Sequence, residues 1–302
     1  MKPLLILGPT ASGKTALALA LAARLGGEIV NADAMQCYRD LSVLTARPTP
    51  DEEAEAPHWL FGFVDAAARF SVGDWLRAAV PVIADIGARG RLPIVVGGTG
   101  LAFAALTKGL AETPPIPPAL RARLAADLDK SSAPAMHARL AEDDPETAAR
   151  LAPNDAPRIL RALEVFEATG APLSAVQAAT APALEEWTGV VLTPDRAALY
   201  ARIDARFDAM IAAGALDEAR ALAGRGLDPT LPLMKAHGMP WLAAHLRGEL
   251  ALDAAMALGK RDTRRYAKRQ FTWIAHQTPD WPRIADADLE ARIGAVLRLI
   301  GD

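Results

Sequence analysis

One eight-residue stretch, Gly8-Pro9-Thr10-Ala11-Ser12-Gly13-Lys14-Thr15, constrains this chain more than any other feature. It satisfies G-x-x-x-x-G-K-[ST] and stands between the apolar run Leu4–Leu7 and the Ala/Leu-rich stretch Lys14–Leu25, which ends in Gly26-Gly27. That frame reads as strand, glycine loop and helix. In such a loop, backbone N–H groups and the helix N-terminus surround a phosphate, Lys14 adds a point charge, and the Thr15 hydroxyl can ligate Mg²⁺. All eight residues are candidate phosphate-binding positions.

Residues 28–31 and 92–96 read as further strands, and Ser71 caps a helix to about residue 88 with Asp74 at the capping-box position. Strands alternating with helices predict an α/β fold, a parallel sheet covered on both faces, with ligands at the carboxyl ends of its strands. Gly8, Asp33 and Gly97-Gly98 lie at such ends and are expected to converge. Prolines then crowd residues 113–118 and punctuate the chain at 153, 157, 172 and 182. We read residues 112–189 as a mostly helical inserted subdomain, with helices over 119–128 and 158–168. The core, residues 1–111 and 190–302, resumes with a strand at 190–192 and continues in helices over 196–213, 216–223 and 252–274.

A phosphate loop alone does not name its ligand, since ATPases, GTPases and small-molecule kinases share it. The second strand ends in Asn31-Ala32-Asp33, where a carboxylate could take a proton from a nucleophile or simply cap a turn. The third strand ends Val95-Val96-Gly97-Gly98-Thr99 without an acid, which argues against a motor-type NTPase and leaves a kinase open. Residues 260–269 then hold six basic side chains and one acid, followed by Gln270, Phe271 and Trp273. A helix so charged, in a chain of net charge -3, suggests a phosphate backbone as partner, the alternative being a solvated face. Arg121, Arg123, Arg158 and Arg161 add charge in the insertion.

The remaining composition sets bounds. With 51% hydrophobic and 23% charged residues, the 302-residue chain buries a core and is not a disordered type. Its one cysteine, Cys37, excludes an internal disulfide and is read as a packing residue rather than a reactive thiol. The apolar run near the N-terminus is too short for a signal peptide and no stretch reaches membrane-span length, so a cytoplasmic, membrane-free protein is expected. The histidines show no metal-ligand spacing. Most tryptophans are expected to pack; Trp273, beside the basic helix, is equally placed to stack on a base.

These residues resemble the bacterial tRNA dimethylallyltransferases. The likeness runs through Gly8 to Thr15, Asn31-Ala32-Asp33-Ala34-Met35-Gln36, Thr45-Ala46-Arg47-Pro48 and Val96-Gly97-Gly98-Thr99-Gly100-Leu101. It continues through Pro153-Asn154-Asp155 with Arg158 and Arg161, Arg202-Ile203 with Arg206, and Thr263-Arg264-Arg265-Tyr266-Ala267-Lys268-Arg269-Gln270. The blocks follow one another in family order over roughly residues 4–275. The resemblance implies a P-loop NTPase-like core and transfer of the dimethylallyl group of dimethylallyl diphosphate to N6 of the adenosine 3′ of the anticodon, position 37. The tRNAs would be those reading codons that begin with U, and Mg²⁺ would assist.

The same resemblance implies that Asp33 is the general base and that Thr10, Lys14 and Arg206 hold the diphosphate. It also implies that Asp33, Ala34, Met35, Gln36, Thr99, Arg121, Pro157, Arg158, Ile159, Leu160 and Arg161 meet tRNA. With the basic helix read on its charge, Arg264, Arg265, Lys268 and Arg269 join that set, and a monomer is expected. Ala34 replaces a usual Ser, Ala102 a common Tyr, and Ala236-His237-Gly238-Met239-Pro240 departs from the usual Gly-Tyr-Lys pattern. Rival readings are prenylation of free adenine nucleotides, a non-catalytic RNA- and nucleotide-binding module, and a small-molecule kinase.

Overall fold

The computed structural model describes residues 1–301 except Glu112, which, like Asp302, lies outside the described residues. The chain divides into two compact units, Met1–Thr107 with Leu184–Asp302, and Lys108–Ala183. The expected start of the insertion, residue 112, therefore falls on an undescribed position.

In chain order the first unit runs β1 (Leu4–Leu7), α1 (Lys14–Leu25), β2 (Gly27–Asn31), α2 (Pro50–Glu55), β3 (His58–Trp59), α3 (Val72–Ala88), β4 (Leu92–Gly97) and α4 (Gly100–Thr107). The second unit holds α5 (Pro118–Lys130), α6 (Ala133–Asp143), α7 (Pro145–Arg150), α8 (Ala156–Thr169) and α9 (Leu173–Ala178). The first unit resumes with β5 (Thr188–Leu192), α10 (Arg196–Ala212), α11 (Ala215–Gly224), α12 (Met239–Leu246), α13 (Leu252–Gln277), β6 (Arg283–Ile284) and α14 (Leu289–Gly301).

The strands form one parallel sheet in the order β3-β2-β4-β1-β5-β6. Side chains alternate across it, as a strand's two-residue period requires. Leu4 and Ile6 face Leu17 and Leu21 of α1 with Ile293 and Val296 of α14, while Leu5 and Leu7 face Trp75, Ile83 and Phe103. Near-continuous apolar strands are what burial on both faces demands. The α3 helix starts at the anticipated capping box, Ser71 accepting from Asp74 N–H and Asp74 from Ser71 N–H. The two-residue strands β3 and β6 escape sequence reading because neither carries a period of its own; pairing with β2 and β5 makes them strands.

The second unit has its own core of Leu124, Met136, Leu140, Ile159 and Leu163. Asp144 caps α7 through Thr147 N–H and also accepts from the N–H and hydroxyl of Ser174.

Candidate functional site

Register brings three loops together. Leu7 pairs with Gly97 and Asn31 with Val96, so β1, β2 and β4 end at one edge of the sheet. The chain continues there into the 8–15 loop, into Asp33, and into Gly98-Thr99. Gly97 must be glycine, because a Cβ would overlap the Ala32 carbonyl that receives Thr99 N–H.

The loop has the local conformation of a phosphate nest. Ala11 and Gly13 adopt positive φ, 62° and 87°, and α1 begins at Lys14. Three of its carbonyl oxygens accept from basic side chains. Lys14 Nζ donates to Pro9 O at 2.8 Å, Arg202 Nε to Ala11 O at 3.1 Å, and Arg292 Nη1 to Ser12 O at 2.9 Å. Burial lowers the Lys14 ammonium to about 8, with Asp33 opposing the shift and Arg206 adding to it. Burial also lowers Arg206, against the pull of Asp33. Arg206 donates to the Thr10 hydroxyl and makes no ion pair among the described residues. Two desolvated cations, near Asp33 but in ion-pair contact with no carboxylate among the described residues, are poised to take up an anion.

Two cavities meet at this edge. A cavity of about 350 Å³ is lined by Met35, Leu44, Ile203, Phe207, His237 and Tyr266 among others. A cleft of about 930 Å³ is lined by the loop from Thr10 to Thr15, with Gln36, Arg47 and Arg202. Thr10, Asp33, Thr45, Arg206 and Met210 line both. The acid, hydroxyl and guanidinium therefore stand where contents of the two cavities would touch. Asp33 also serves its own turn, Oδ1 accepting from Met35 N–H at 3.0 Å, so the two readings of this residue are compatible.

Several expected residues cluster here and others do not. Ala34 N–H donates to Thr99 Oγ1 at 3.0 Å, a bond independent of the missing Ser hydroxyl. Gln36 commits its amide to Thr45 O and Ala46 O. Arg121 and Pro157 to Arg161 belong to the second unit. There Arg121 and Arg161 both reach Glu164, at 3.3 and 3.4 Å, and Arg158 reaches Asp155 at 2.9 Å. Ile159 needs correction as a contact residue: its side chain is fully buried in that unit's core and cannot face a ligand.

On α13 the basic run is partly neutralised. Lys260 pairs with Asp208 and Arg264 with Asp204, both on α10, and Arg261 and Arg265 share Asp262. Lys268 and Arg269 are exposed without a carboxylate partner among the described residues. Trp273 packs over Gly100, where a Cβ would overlap its indole, and joins the core. Cys37 is buried and its thiol is pushed up to about 12 by burial and by Asp33, which makes it unreactive.

Phe207, Met210, His237 and Tyr266 were not singled out as site residues from the sequence. The spacing of Ile203, Arg206, Phe207 and Met210 puts them on one face of α10, which could have found Phe207 and Met210 once Arg206 was in hand. His237 had no such signal: it enters the cavity on the turn before α12, 4.4 Å from the Tyr266 ring.

A family model described as IPP transferase matches residues 36–277, and one described as isopentenyl transferase matches residues 1–58. The chain belongs to the IPP transferase family. It is 57% identical to a tRNA dimethylallyltransferase of Rhodopseudomonas palustris over 94% of this chain and 90% of that protein. It is 58% identical to one of Phenylobacterium zucineum over 95% and 94%. A crystal structure of a tRNA isopentenylpyrophosphate transferase from Bacillus halodurans superposes with a TM-score of 0.72 at 35% identity, covering 99% of this chain and 95% of that one. A eukaryotic dimethylallyltransferase, captured acting on tRNA, gives 0.81 at 27% identity over 96% and 75%. As a member of this family the chain is a prenyltransferase on a P-loop NTPase-like core. Among the described residues no helix is long and apolar enough to cross a membrane.

Proposed function

We propose that this chain transfers the dimethylallyl group of dimethylallyl diphosphate to N6 of the adenosine 3′ of the anticodon, position 37, in tRNAs that read codons beginning with U. The observation that carries the reading is the junction itself: Thr10, Asp33 and Arg206 line both cavities, one of which opens on a phosphate loop. The diphosphate occupies the loop side and the adenine, extruded from its stack, enters the smaller cavity.

The N6 lone pair attacks C1 of the prenyl group. The C1–O bond breaks, its electron pair leaves with pyrophosphate, and the N6 proton passes to the Asp33 carboxylate. Charge developing on the leaving group is met by loop N–H groups, Lys14 and Arg206, preorganised in a partly desolvated site. The amine acidifies as the bond forms, so the base need not be strong.

No group of three or more His, Cys, Asp or Glu is gathered for a metal among the described residues. Mg²⁺ commonly binds through one or two protein oxygens, substrate phosphates and water, and the half-buried Thr15 hydroxyl lining the cleft fits that role. When bound, the ion would neutralise diphosphate charge. The residues that meet tRNA are, in the first unit, Ala34 to Gln36 and Thr99 near Asp33 with Arg264, Arg265, Lys268 and Arg269 on α13, and, in the 112–189 insertion, Arg121, Pro157, Arg158, Leu160 and Arg161. The enzyme works as a cytoplasmic monomer.

Mass spectrometry of an anticodon stem-loop with consecutive adenosines, incubated with enzyme, Mg²⁺ and dimethylallyl diphosphate, tests this reading. One prenyl mass on a single adenosine, absent with Lys14→Ala, is expected. No gain on the RNA, with product on free adenine nucleotide instead, would overturn the tRNA assignment.

A further inference from the structure

Gln270 is a neutral, 6% exposed side chain in the middle of α13, surrounded by the charges of that helix. Its Oε1 accepts from Thr10 N–H at 2.9 Å, and its Nε2 donates to Gly98 O at 2.9 Å. One amide thus bridges the phosphate loop and the turn after β4. No backbone hydrogen bond joins Thr10 to that turn among the described residues. The seat is shaped around the amide: a Cβ on Gly98 would overlap Gln270 Nε2, and its next neighbour, Gly8 O, lies 3.4 Å away.

The bridge extends on both sides. The turn after β4 is itself bonded to the Asp33 loop, Thr99 N–H donating to Ala32 O at 3.2 Å. Thr99 accepts from Ala34 N–H, the residue after Asp33, and Thr10 accepts from Arg206. Thr10 is therefore one hydrogen bond from Gln270 and Arg206 two, while the Gly98-Thr99 turn that Gln270 holds is the one bonded to Ala32 and Ala34 on either side of Asp33.

We propose that Gln270 is a positioning residue for prenyl transfer: it fixes Thr10, and with it Arg206, relative to the turn that orients the Asp33 loop. It touches no reacting atom. A buried amide with both ends satisfied holds its partners in one geometry, and small misplacements of reacting groups are costly in rate. The inference rests on the prenyl-transfer reading and adds to it a residue whose work is geometric.

A double-mutant cycle tests it with Gln270→Ala, Gly98→Ala and the pair, reading kcat, the KM of each substrate and, separately, inorganic pyrophosphate affinity by calorimetry. Each single substitution is expected to lower kcat by about 10- to 100-fold, the loss of a buried hydrogen bond at a site that needs alignment. The stem-loop KM is expected to stay within about threefold, because the bridge lies inside the core rather than on the RNA face. The pair should be no worse than Gln270→Ala alone, since the Gly98 methyl clashes only with the missing amide. Gln270→Glu keeps the size and the acceptor, loses the donor to Gly98, and serves if the alanine variant fails to fold; it too should lose kcat. Additive losses, or a wild-type kcat in Gln270→Ala or Gln270→Glu, would overturn the proposal. If the wild-type enzyme forms no prenyl product, the transfer reading fails, and the cycle is then judged on pyrophosphate affinity, where additivity alone rejects the role of Gln270.

Discussion

Lys14 illustrates how a single side chain links burial to binding. Its ammonium, lowered to about 8 mainly by desolvation, keeps its charge at neutral pH and loses it as pH rises through that value. Pyrophosphate affinity should therefore fall above about pH 8, and Lys14→Met should remove that pH dependence along with most of the affinity; calorimetry across pH 6.5–9.5 checks both. Asp33 makes the complementary case. Asp33→Ala should depress single-turnover transfer by about 100-fold or more, the usual scale of a lost general base, while RNA binding measured by filter retention changes little. If turnover stays within a few-fold of wild type, the base is another group. The motif residues from Gly8 to Thr15 were legible because their chemistry needs a fixed spacing along the chain. Arg206 was not legible from spacing, since its partner Thr10 lies 196 residues away.

Among the elements, α14 is the one whose importance the sequence conceals. Its Arg292 is buried, donates to Ser12 O and to Asp286 O, and sits against Gly13, tying the last helix to the phosphate loop. Arg292→Ala strands both carbonyls and should cost about 1–3 kcal/mol of stability by urea unfolding, with weaker pyrophosphate binding. In the second unit Asp144 plays the corresponding part. Burial pushes its carboxyl up, but bonds from Thr147 and Ser174 outweigh that and hold it at about 2. Because the folded value is depressed, its stabilisation is full above the ordinary aspartate range near 3.9 and is lost as pH falls toward 2. Asp144→Ala should flatten that acid limb in a thermal-melting series and lower the melting temperature at neutral pH. Helix α3 was readable to both ends because Ser71, Asp74 and the apolar spacing agree locally. The short helices α7 and α9 were not, because contacts with α6 and α8 decide them.

For the whole molecule, a net charge of -3 coexists with a basic helix because the acids are placed elsewhere or against it. Asp204 and Asp208 of α10 neutralise Arg264 and Lys260, which a run of letters on α13 cannot reveal. Reversal of Lys268 and Arg269 to Glu should therefore weaken stem-loop binding and reduce its salt dependence, by about one unit of log-log slope per lost phosphate contact. Reversal of Arg264 should in addition lower stability, since it faces Asp204 with a like charge. Affinity titrations over a salt series, beside thermal melts, separate the two effects.

The sequence by itself determined what depends on near neighbours: the strand, loop and helix around Lys14, the ends of β2 and β4, the capping of α3, and the family to which these blocks point. Tertiary structure alone decided which of the distant residues share a site. Parallel pairing sets Asp33 and Thr99 beside the phosphate loop, and packing of α10, α13 and α14 delivers Arg206, Gln270 and Arg292 to it. It also consigned Ile159 to a core and four of the six basic side chains of the α13 run to ion pairs. The physical reason is that spacing encodes only forces acting along a few residues of chain, whereas convergence, burial and charge compensation are properties of surfaces that meet after the chain has folded.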